Sequence, residues 1–398
     1  MQDLSPLIQD GIFAMVGLLP TVYQQINFDS FNYLDLSSVL KYLEEKSSVD
    51  LNLSKRIPVL IHKWIGLFDL NAKVQIVQNV VQITESLQNY VVRYECCVCL
   101  KIILQNENQL DLNYAALSEH LVPIIVDLLG RFRNPQVIWG LIELLKILFM
   151  KAQYTMQNDN ILAQLQNQNF LALTKLDDGL LLPALADMLK TVIASFPFGT
   201  PLTPMFQICI EFIDYHFKEN RLRPDLVRLW LFIIREYDEV QQVGGAMETL
   251  FERYSGAFLN IGNPEELSKF INIIEEYVLA QLIPPEGFMN IITIMEEKYN
   301  LAFSVPVPNE GIINLKCSLL SLMSTLLLIM AKQGPLENLK VFEKMLIFLL
   351  RELMSDFYDA EFKSLKPFKV AMTTLLNRFI ILCLQSFLEM IDSIENFV

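Results

Sequence analysis

Apolar residues recur at a helical period along nearly the whole chain. The clearest run lies between residues 226 and 237, where the apolar positions are Leu226, Leu229, Trp230, Ile233, Ile234 and Tyr237. The spacing i, i+3, i+4, i+7 places these side chains on one face of an α-helix. The pattern therefore predicts helices as the main element of the fold.

Capping signals and segment length support this prediction. Asn263 precedes Pro264, Glu265 and Glu266, an order typical of a helix start with Asn as the N-cap and proline in the first turn. The segment from Asn71 to Leu87 is rich in Val and Ile, which favour strands. Its length without Gly or Pro exceeds that of an ordinary strand, and we expect a helix.

The same apolar period, followed along the whole chain, predicts an all-α protein of eighteen helices, or about nine helical hairpins. The predicted ranges are 3–19, 31–46, 54–67, 72–87, 90–105, 112–130, 135–154, 159–170, 178–196, 202–219, 224–238, 240–257, 264–282, 285–299, 310–332, 336–353, 356–364 and 367–395. Short polar turns between them favour antiparallel packing of consecutive helices. The hairpin period of about 40 residues is typical of HEAT and armadillo arrays. We expect one continuous α-α superhelix (solenoid) over residues 1–398, since a helix pair buries its apolar face only against its neighbours.

Composition is consistent with a large folded core. Hydrophobic residues make up 53% and charged residues 19% of the 398 positions, which excludes a disordered chain. The formal charge of −14 argues against nucleic-acid binding. We expect no secretory signal at the N-terminus and reduced, buried cysteines. The apolar stretch from Cys317 to Ala331 is too short for a membrane span and is predicted to be a buried helix.

The sequence offers little for catalysis or metal binding, and we expect a protein that is not an enzyme and needs no cofactor. It has three histidines, His62, His120 and His216, in different predicted repeats, and no phosphate-binding or hydrolase motif. Cys96 and Cys97 point about 100° apart on a helix and no His lies nearby in the sequence, so the cluster of Cys96, Cys97 and Cys99 is interpreted as core thiols. Asp177 and Asp178 are interpreted as a helix-capping or solvated pair.

Aromatic and acidic side chains are the candidates for protein binding. Trp64, Trp139 and Trp230 lie on predicted apolar faces and are expected in the core, whereas slots between helices could receive a partner's aromatic side chains. Residues 201–300 carry a net charge of −8, the most acidic part of the chain. The candidate patch in this part comprises Glu236, Asp238, Glu239, Glu275 and Glu276. Two interpretations stay open: a solvated outer face, or an acidic inner surface that attracts basic partners.

One segment resembles a known repeat motif. The run Tyr90-Val91-Val92-Arg93-Tyr94-Glu95-Cys96-Cys97-Val98-Cys99-Leu100 is similar to the pattern D-x-V-V-R-x-x-A-x-x-x-L that opens a helix in HEAT repeats of the importin-β superfamily, or β-karyopherins. Asn89 stands near the position where the pattern prefers Asp. The resemblance implies that Asn89 caps the helix and that Arg93 bridges to the neighbouring repeat in a polar ladder.

Further segments resemble the same family in the same order. They are residues 10–18, 26–31, 55–65, 121–125, 229–231 and 273–277. The likeness therefore covers about residues 10 to 280, so that importin-like repeats occupy 1–200, acidic repeats 201–300 and C-terminal repeats 301–398.

This resemblance implies a nuclear transport receptor, or its C-terminal part, that carries protein cargo through the nuclear pore. Expected partners are cargo with basic segments and the Phe-Gly repeats of nucleoporins, and the expected location is the cytoplasm and nucleus. Ran GTPase is also implied, although members of the family are more than twice as long and bind Ran through N-terminal repeats that have no counterpart here. The alternative is a HEAT-repeat scaffold or adaptor of a cytosolic complex.

Overall fold

The computed structural model describes residues 51–107, 110–153, 159–197, 200–217, 223–236, 244–303, 310–333, 366–382 and 388. Within these ranges the chain forms fifteen α-helices and no β-strand, which confirms the all-α prediction. The helices are α1 (Leu51–Trp64), α2 (Leu70–Ser86), α3 (Tyr90–Asn106), α4 (Tyr114–Arg131), α5 (Pro135–Lys151), α6 (Asp159–Leu165), α7 (Gln168–Leu173), α8 (Leu181–Ser195), α9 (Thr203–His216), α10 (Pro224–Arg235), α11 (Gly244–Leu259), α12 (Pro264–Leu279), α13 (Pro285–Phe303), α14 (Glu310–Gln333) and α15 (Lys366–Leu382).

The prediction of a single helix over residues 159–170 is wrong. The chain forms α6 and α7 instead, because Asn167 interrupts the helix and accepts a hydrogen bond from the amide of Asn169 at 3.0 Å. A capping Asn marks the start of a new helix, but the apolar residues continue at a helical period across Asn167, so the period alone does not indicate the break. The helices predicted at 3–19, 31–46, 336–353 and 356–364, and most of 383–395, lie outside the described residues.

The chain divides into two compact units, Met1–Ile208 and Cys209–Val398. In the first unit, consecutive helices alternate between two layers. Helices α1, α3, α5 and α8 pack side by side in one layer, and α2, α4 and the short pair α6 and α7 form the other. Contacts of α2 with α3, and of α4 with both α3 and α5, join the layers. The helices therefore bury their apolar stripes against the next helix of their own layer, and α2 to α5 do so against sequence neighbours as well.

The second unit repeats this alternation. Helices α10, α12, α14 and α15 pack in succession, while α11 packs on α12 and α13 packs on α14. The predicted start of α12 is confirmed: the side chain of Asn263 accepts from the amide of Glu265 at 3.0 Å, and Pro264 occupies the first turn. Likewise Asp178 accepts from the amides of Leu180 and Leu181 ahead of α8, as the capping interpretation predicts.

Helix α14 contains the apolar stretch singled out in the sequence. The expectation that this stretch is too short for a membrane span is wrong, because the helix continues on both sides and its segment Glu310–Lys332 is long and apolar enough to cross a membrane. Of the most apolar part of this segment, 72% is buried inside the protein, as predicted for a buried helix. Its hydroxyl side chains bond to both neighbouring helices. Ser318 pairs with Ser268 of α12 at 2.9 Å, and Ser324 accepts from Arg378 of α15 at 2.9 Å. These contacts fit a helix packed within the second unit.

Two of the three tryptophans are in the core as predicted, since Trp64 and Trp230 are buried. The prediction for Trp139 is wrong, because its side chain is 37% exposed. Its neighbour Ile138 is buried, and the broad apolar stripe of α5 leaves Trp139 at the edge, where the Lys101 Nζ lies 5.2 Å from the centre of its ring.

The cysteine prediction is confirmed for four of the five described thiols. Cys96, Cys97, Cys99 and Cys209 are free and buried, whereas Cys317 is only half-buried because it faces an open surface beside α15. Cys383 lies outside the described residues.

Candidate protein-binding groove

The acidic residues singled out in the sequence point to different neighbours. Glu275 on α12 faces α14, where its Oε1 accepts hydrogen bonds from Ser321 and Thr325, both at 2.8 Å. The adjacent Glu276 turns to α10 and pairs with Arg235 at 2.6 Å. These two carboxylates hold helices together, and their role in cargo binding stays a prediction.

Glu236 lies at the end of α10 and is exposed, directly after Arg235. Asp238 and Glu239 lie outside the described residues. Within the described part of the candidate patch, Glu276 pairs with Arg235, the residue before Glu236, while Glu275 belongs to the contact between α12 and α14.

A groove of about 520 Å³ opens between α11, α12 and α13 in the second unit. Its lining is mostly apolar. Helix α12 supplies Ile271, Ile274 and Tyr277; α11 supplies Phe251, Ser255 and Leu259; α13 supplies Gly287, Asn290, Ile291, Ile294 and Met295; and the turn between α12 and α13 supplies Gln281, Leu282, Ile283 and Pro284. Such a volume is typical of a binding cleft, and it would admit bulky apolar side chains of a partner.

Two carboxylates stand on the α11 side of the groove. Glu248 and Glu252 are exposed and lie one helical turn apart, so their side chains project from the same face. Neither forms an ion pair with a described residue. The groove therefore combines apolar walls with negative charge that a partner's Lys or Arg side chains can neutralise.

The floor of the groove is held by a buried hydrogen-bond chain. Tyr277 accepts a hydrogen bond from the Trp230 Nε1 of α10 and donates one to the backbone carbonyl of Met247 on α11, both at 2.9 Å. The Tyr277 hydroxyl is protonated and donates at neutral pH, and burial raises its pKa further above neutral. Three helices are thus joined beneath the apolar surface.

The turn after α12 gives the groove its end wall. Gln281 adopts a left-handed backbone conformation with φ of 56°. The amide of Leu282 donates to the carbonyl of Tyr277 at 3.0 Å, which closes the helix in the manner of a Schellman motif. The reversal brings Leu282 and Ile283 to the groove.

Sequence periodicity did not predict this groove. A signal was present on α11, where Glu248, Glu252, Ser255 and Leu259 recur at i, i+4, i+7 and i+11 on one face. Glutamates occupy the first half of that face and Leu259 ends it, so the face is only partly apolar, as expected for a helix that borders an open groove. Only the arrangement of α11, α12 and α13 in the fold makes the groove itself.

The two residues assigned to a repeat ladder lie at the start of α3. Asn89 caps this helix, because its Oδ1 accepts from the amides of Val91 at 3.0 Å and Val92 at 3.3 Å. The Arg93 guanidinium donates to the carbonyl of Glu85 on α2 at 3.0 Å and lies 3.9 Å from the carboxylate of Asp127 on α4. Arg93 therefore connects α3 to the preceding and the following helix, and its place in a longer ladder stays a prediction.

The residues considered for catalysis or metal binding do not converge. His62, His120 and His216 lie on α1, α4 and α9. In the part of the chain that the structure describes, no three His, Cys, Asp or Glu side chains are grouped so as to hold a metal ion. Burial raises the pKa of Cys96 to about 12, so this thiol is a poor nucleophile at neutral pH.

Comparison of the sequence with protein-family models and with curated proteins returns no match.

Proposed function

We propose that this protein is a nuclear transport receptor of the importin-β type, or the C-terminal part of one, and that it acts by reversible binding of other proteins. It would belong to the HEAT-type solenoids and carry cargo with basic segments through the nuclear pore. Phe-Gly nucleoporins would be its partners during passage.

The observation that supports this proposal most is the alternation of consecutive helices between two layers in each unit. Stacked helix pairs of this kind expose long faces of side chains and are typical of repeat proteins that bind other proteins. The connection of α3 to α2 and α4 through Arg93 is in keeping with the repeat motif that the segment 90–100 resembles.

The groove between α11, α12 and α13 is the surface that suits cargo best. Its apolar lining would accept an aliphatic or aromatic side chain, and Glu248 and Glu252 would pair with Lys or Arg beside it. This pairing gives the expected preference for basic cargo a physical basis.

Retention on immobilised Phe-Gly repeats tests the transport role. The whole protein should be retained on these repeats and should pass through a matched column in which Ser replaces every Phe. Flow-through from both columns at low salt would favour the alternative, a HEAT-repeat scaffold of a cytosolic complex. Adding GTP-loaded Ran to the bound protein then measures whether the chain responds to the switch.

The cargo site is tested by charge reversal. Glu248→Lys combined with Glu252→Lys should weaken binding of a basic cargo peptide by about tenfold or more, since close charge pairs at interfaces are worth roughly 1.5 kcal/mol upward. Glu297→Lys is the matched control, because Glu297 is 74% exposed on α13 and does not line the groove. Fluorescence anisotropy measures both, and equal weakening by the control would remove the groove as the site.

A further inference from the structure

A strip of aromatic side chains lies on the surface of the first unit and is separate from the groove. We call the rings of Tyr90, Tyr94, Phe132 and Trp139 the aromatic strip. Tyr90 and Trp139 are 45% and 37% exposed. The Phe132 ring packs against both tyrosines, with ring centres 5.6 Å from Tyr90 and 5.2 Å from Tyr94. Exposed Trp and Tyr side chains anchored in this way are the ones that most often dominate binding energy.

Gly140 makes a notch in the middle of the strip. A Cβ atom at this position would lie 3.9 Å from the Tyr94 hydroxyl and 4.0 Å from the Lys101 Nζ. The ends of the Tyr94 and Lys101 side chains therefore border a helix position that has no side chain of its own. Nothing in the backbone requires glycine here, since Gly140 lies inside α5 and its φ is that of an ordinary helix.

One cation contacts the aromatic strip, and a second follows it in the chain. Lys101 lies over the Trp139 ring, and Arg133 follows Phe132 directly and is exposed. Neither forms an ion pair with a residue that the structure describes. By contrast, nearby Arg131 and Lys146 are already paired, with Asp127 and Asp187. Lys101 and Arg133 are therefore the cations of this surface that have no ion-pair partner among the described residues, in a chain whose net charge is −14. The carboxylate of Glu95, which follows Tyr94, interacts with Lys55 and contributes to raising the pKa of Tyr94.

We propose that the aromatic strip binds a short, extended acidic peptide that carries proline or an aromatic residue between two carboxylates. Prolines and rings would stack on Tyr90, Phe132 and Trp139, as polyproline-type ligands do on aromatic surfaces. One carboxylate would pair with Lys101 and the other with Arg133. From Tyr90 to Lys101 the helix axis rises about 16 Å, which an extended peptide of about five residues covers.

This site is independent of the proposed transport role. It lies in the first unit, prefers the opposite charge to the groove, and would serve a transport receptor or a scaffold equally. A protein that fails to bind Phe-Gly repeats could still bind the acidic peptide, so that the two proposals fail separately.

Fluorescence anisotropy with a labelled peptide tests the site on the whole protein. The probe is Glu-Pro-Tyr-Pro-Glu with a fluorescent label, and Lys-Pro-Tyr-Pro-Lys is the control peptide. Lys101→Glu should weaken binding of the acidic probe by about tenfold or more. Lys175→Glu is the matched control, because Lys175 is exposed in the same unit and is not part of the strip.

Gly140→Met fills the notch without harming the fold. Methionine is a better helix former than glycine by roughly 0.7 kcal/mol, and the neighbouring atoms leave room for a Cβ. This variant should melt at or above the temperature of the unmodified protein and still lose binding by about tenfold or more.

Four results would overturn the proposal. They are no binding of the acidic probe at low ionic strength, equal binding of the control peptide, equal weakening by Lys175→Glu, and full binding by Gly140→Met. Displacement of the probe by oligothymidylate more readily than by unlabelled peptide would instead assign the aromatic strip to single-stranded nucleic acid, which aromatic and cationic surfaces also bind.

Discussion

The hydroxyl of Tyr277 connects α10, α11 and α12, because it accepts from Trp230 and donates to the carbonyl of Met247. Sequence periodicity identifies Trp230 as an apolar-face position and does not single out Tyr277. It does not show that the Trp230 Nε1 would form a hydrogen bond with the Tyr277 hydroxyl. The two residues are far apart in the chain and come into contact only when α10 packs on α12. Buried Trp and Tyr need such partners for their polar atoms.

Tyr277→Phe should lower the free energy of unfolding by about 1–3 kcal/mol, because it leaves the buried Nε1 of Trp230 without an acceptor. Urea denaturation measures the loss. Tyr90→Phe is the matched control, since Tyr90 is 45% exposed, and it should change stability by no more than about 0.5 kcal/mol. Equal effects of the two variants would contradict the role assigned to the buried hydroxyl.

The cysteines allow a direct test of burial at single residues. Burial raises the pKa of Cys96 to about 12 and also raises the pKa of Cys97, Cys99 and Cys209. At pH 8 these thiols are protonated and enclosed, so they should resist a thiol reagent in the folded protein, while the half-buried Cys317 should react first.

Mass spectrometry after brief labelling identifies the modified positions. The experiment is best done in a Cys383→Ser background, because Cys383 lies outside the described residues. In denaturant all remaining thiols should react at similar rates. Labelling of Cys99 as fast as Cys317 in the folded protein would contradict the packing described for α3.

At the scale of elements, α14 shows how an apolar helix that carries hydroxyl groups packs between neighbouring helices. Its Ser and Thr side chains bond to α12 and α15. The same composition could serve a membrane span or a core helix, and helix length and hydropathy alone favour neither strongly. The partners on the neighbouring helices give each of these hydroxyls a specific contact.

Glu275 carries two of these contacts, and its replacement tests them. Glu275→Ala removes the acceptor for Ser321 and Thr325 and should lower the free energy of unfolding by about 1–3 kcal/mol. Glu275→Gln keeps an acceptor oxygen and should lose less. Thermal and urea unfolding measure both variants.

Glu276→Ala is the matched control on the same helix. It breaks the pair with Arg235, whose side chain is 62% exposed, and such pairs are worth about 0–1 kcal/mol. A larger loss for Glu276→Ala than for Glu275→Ala would show that the contact between α12 and α14 does not depend on Glu275.

At the scale of the whole molecule, the charge of −14 is concentrated in residues 201–300, with a net charge of −8. Long-range attraction then acts on a basic partner before contact and raises its association rate at low salt. The effect weakens as the screening length falls to about 8 Å at physiological ionic strength. Both interpretations of the acidic residues, solvated face and steering surface, stay open until this rate is measured.

Glu236→Lys should therefore slow association with a basic cargo peptide and flatten its dependence on salt. The combined replacement of Glu236, Asp238 and Glu239 by Lys should do so more strongly. Glu119→Lys, at an exposed position of the less acidic residues 1–200, is the control. Stopped-flow rates across a salt series measure the effect, and equal rates for all variants would assign these acids to a solvated face.

The sequence alone determined the helical class, most helix positions and the cap at Asn263, because the apolar period and the capping hydrogen bonds are local. The cap at Asn89 was expected from the resemblance to the repeat motif, and capping by Asp178 was one of two interpretations. Tertiary structure alone decided what lies between helices. The groove beside Glu248 and Glu252, the separate partners of Glu275 and Glu276, and the exposure of Trp139 all depend on which helix faces lie against each other. Those contacts join residues 30 to 50 positions apart, and an amphipathic pattern indicates that a face is buried without indicating its neighbour.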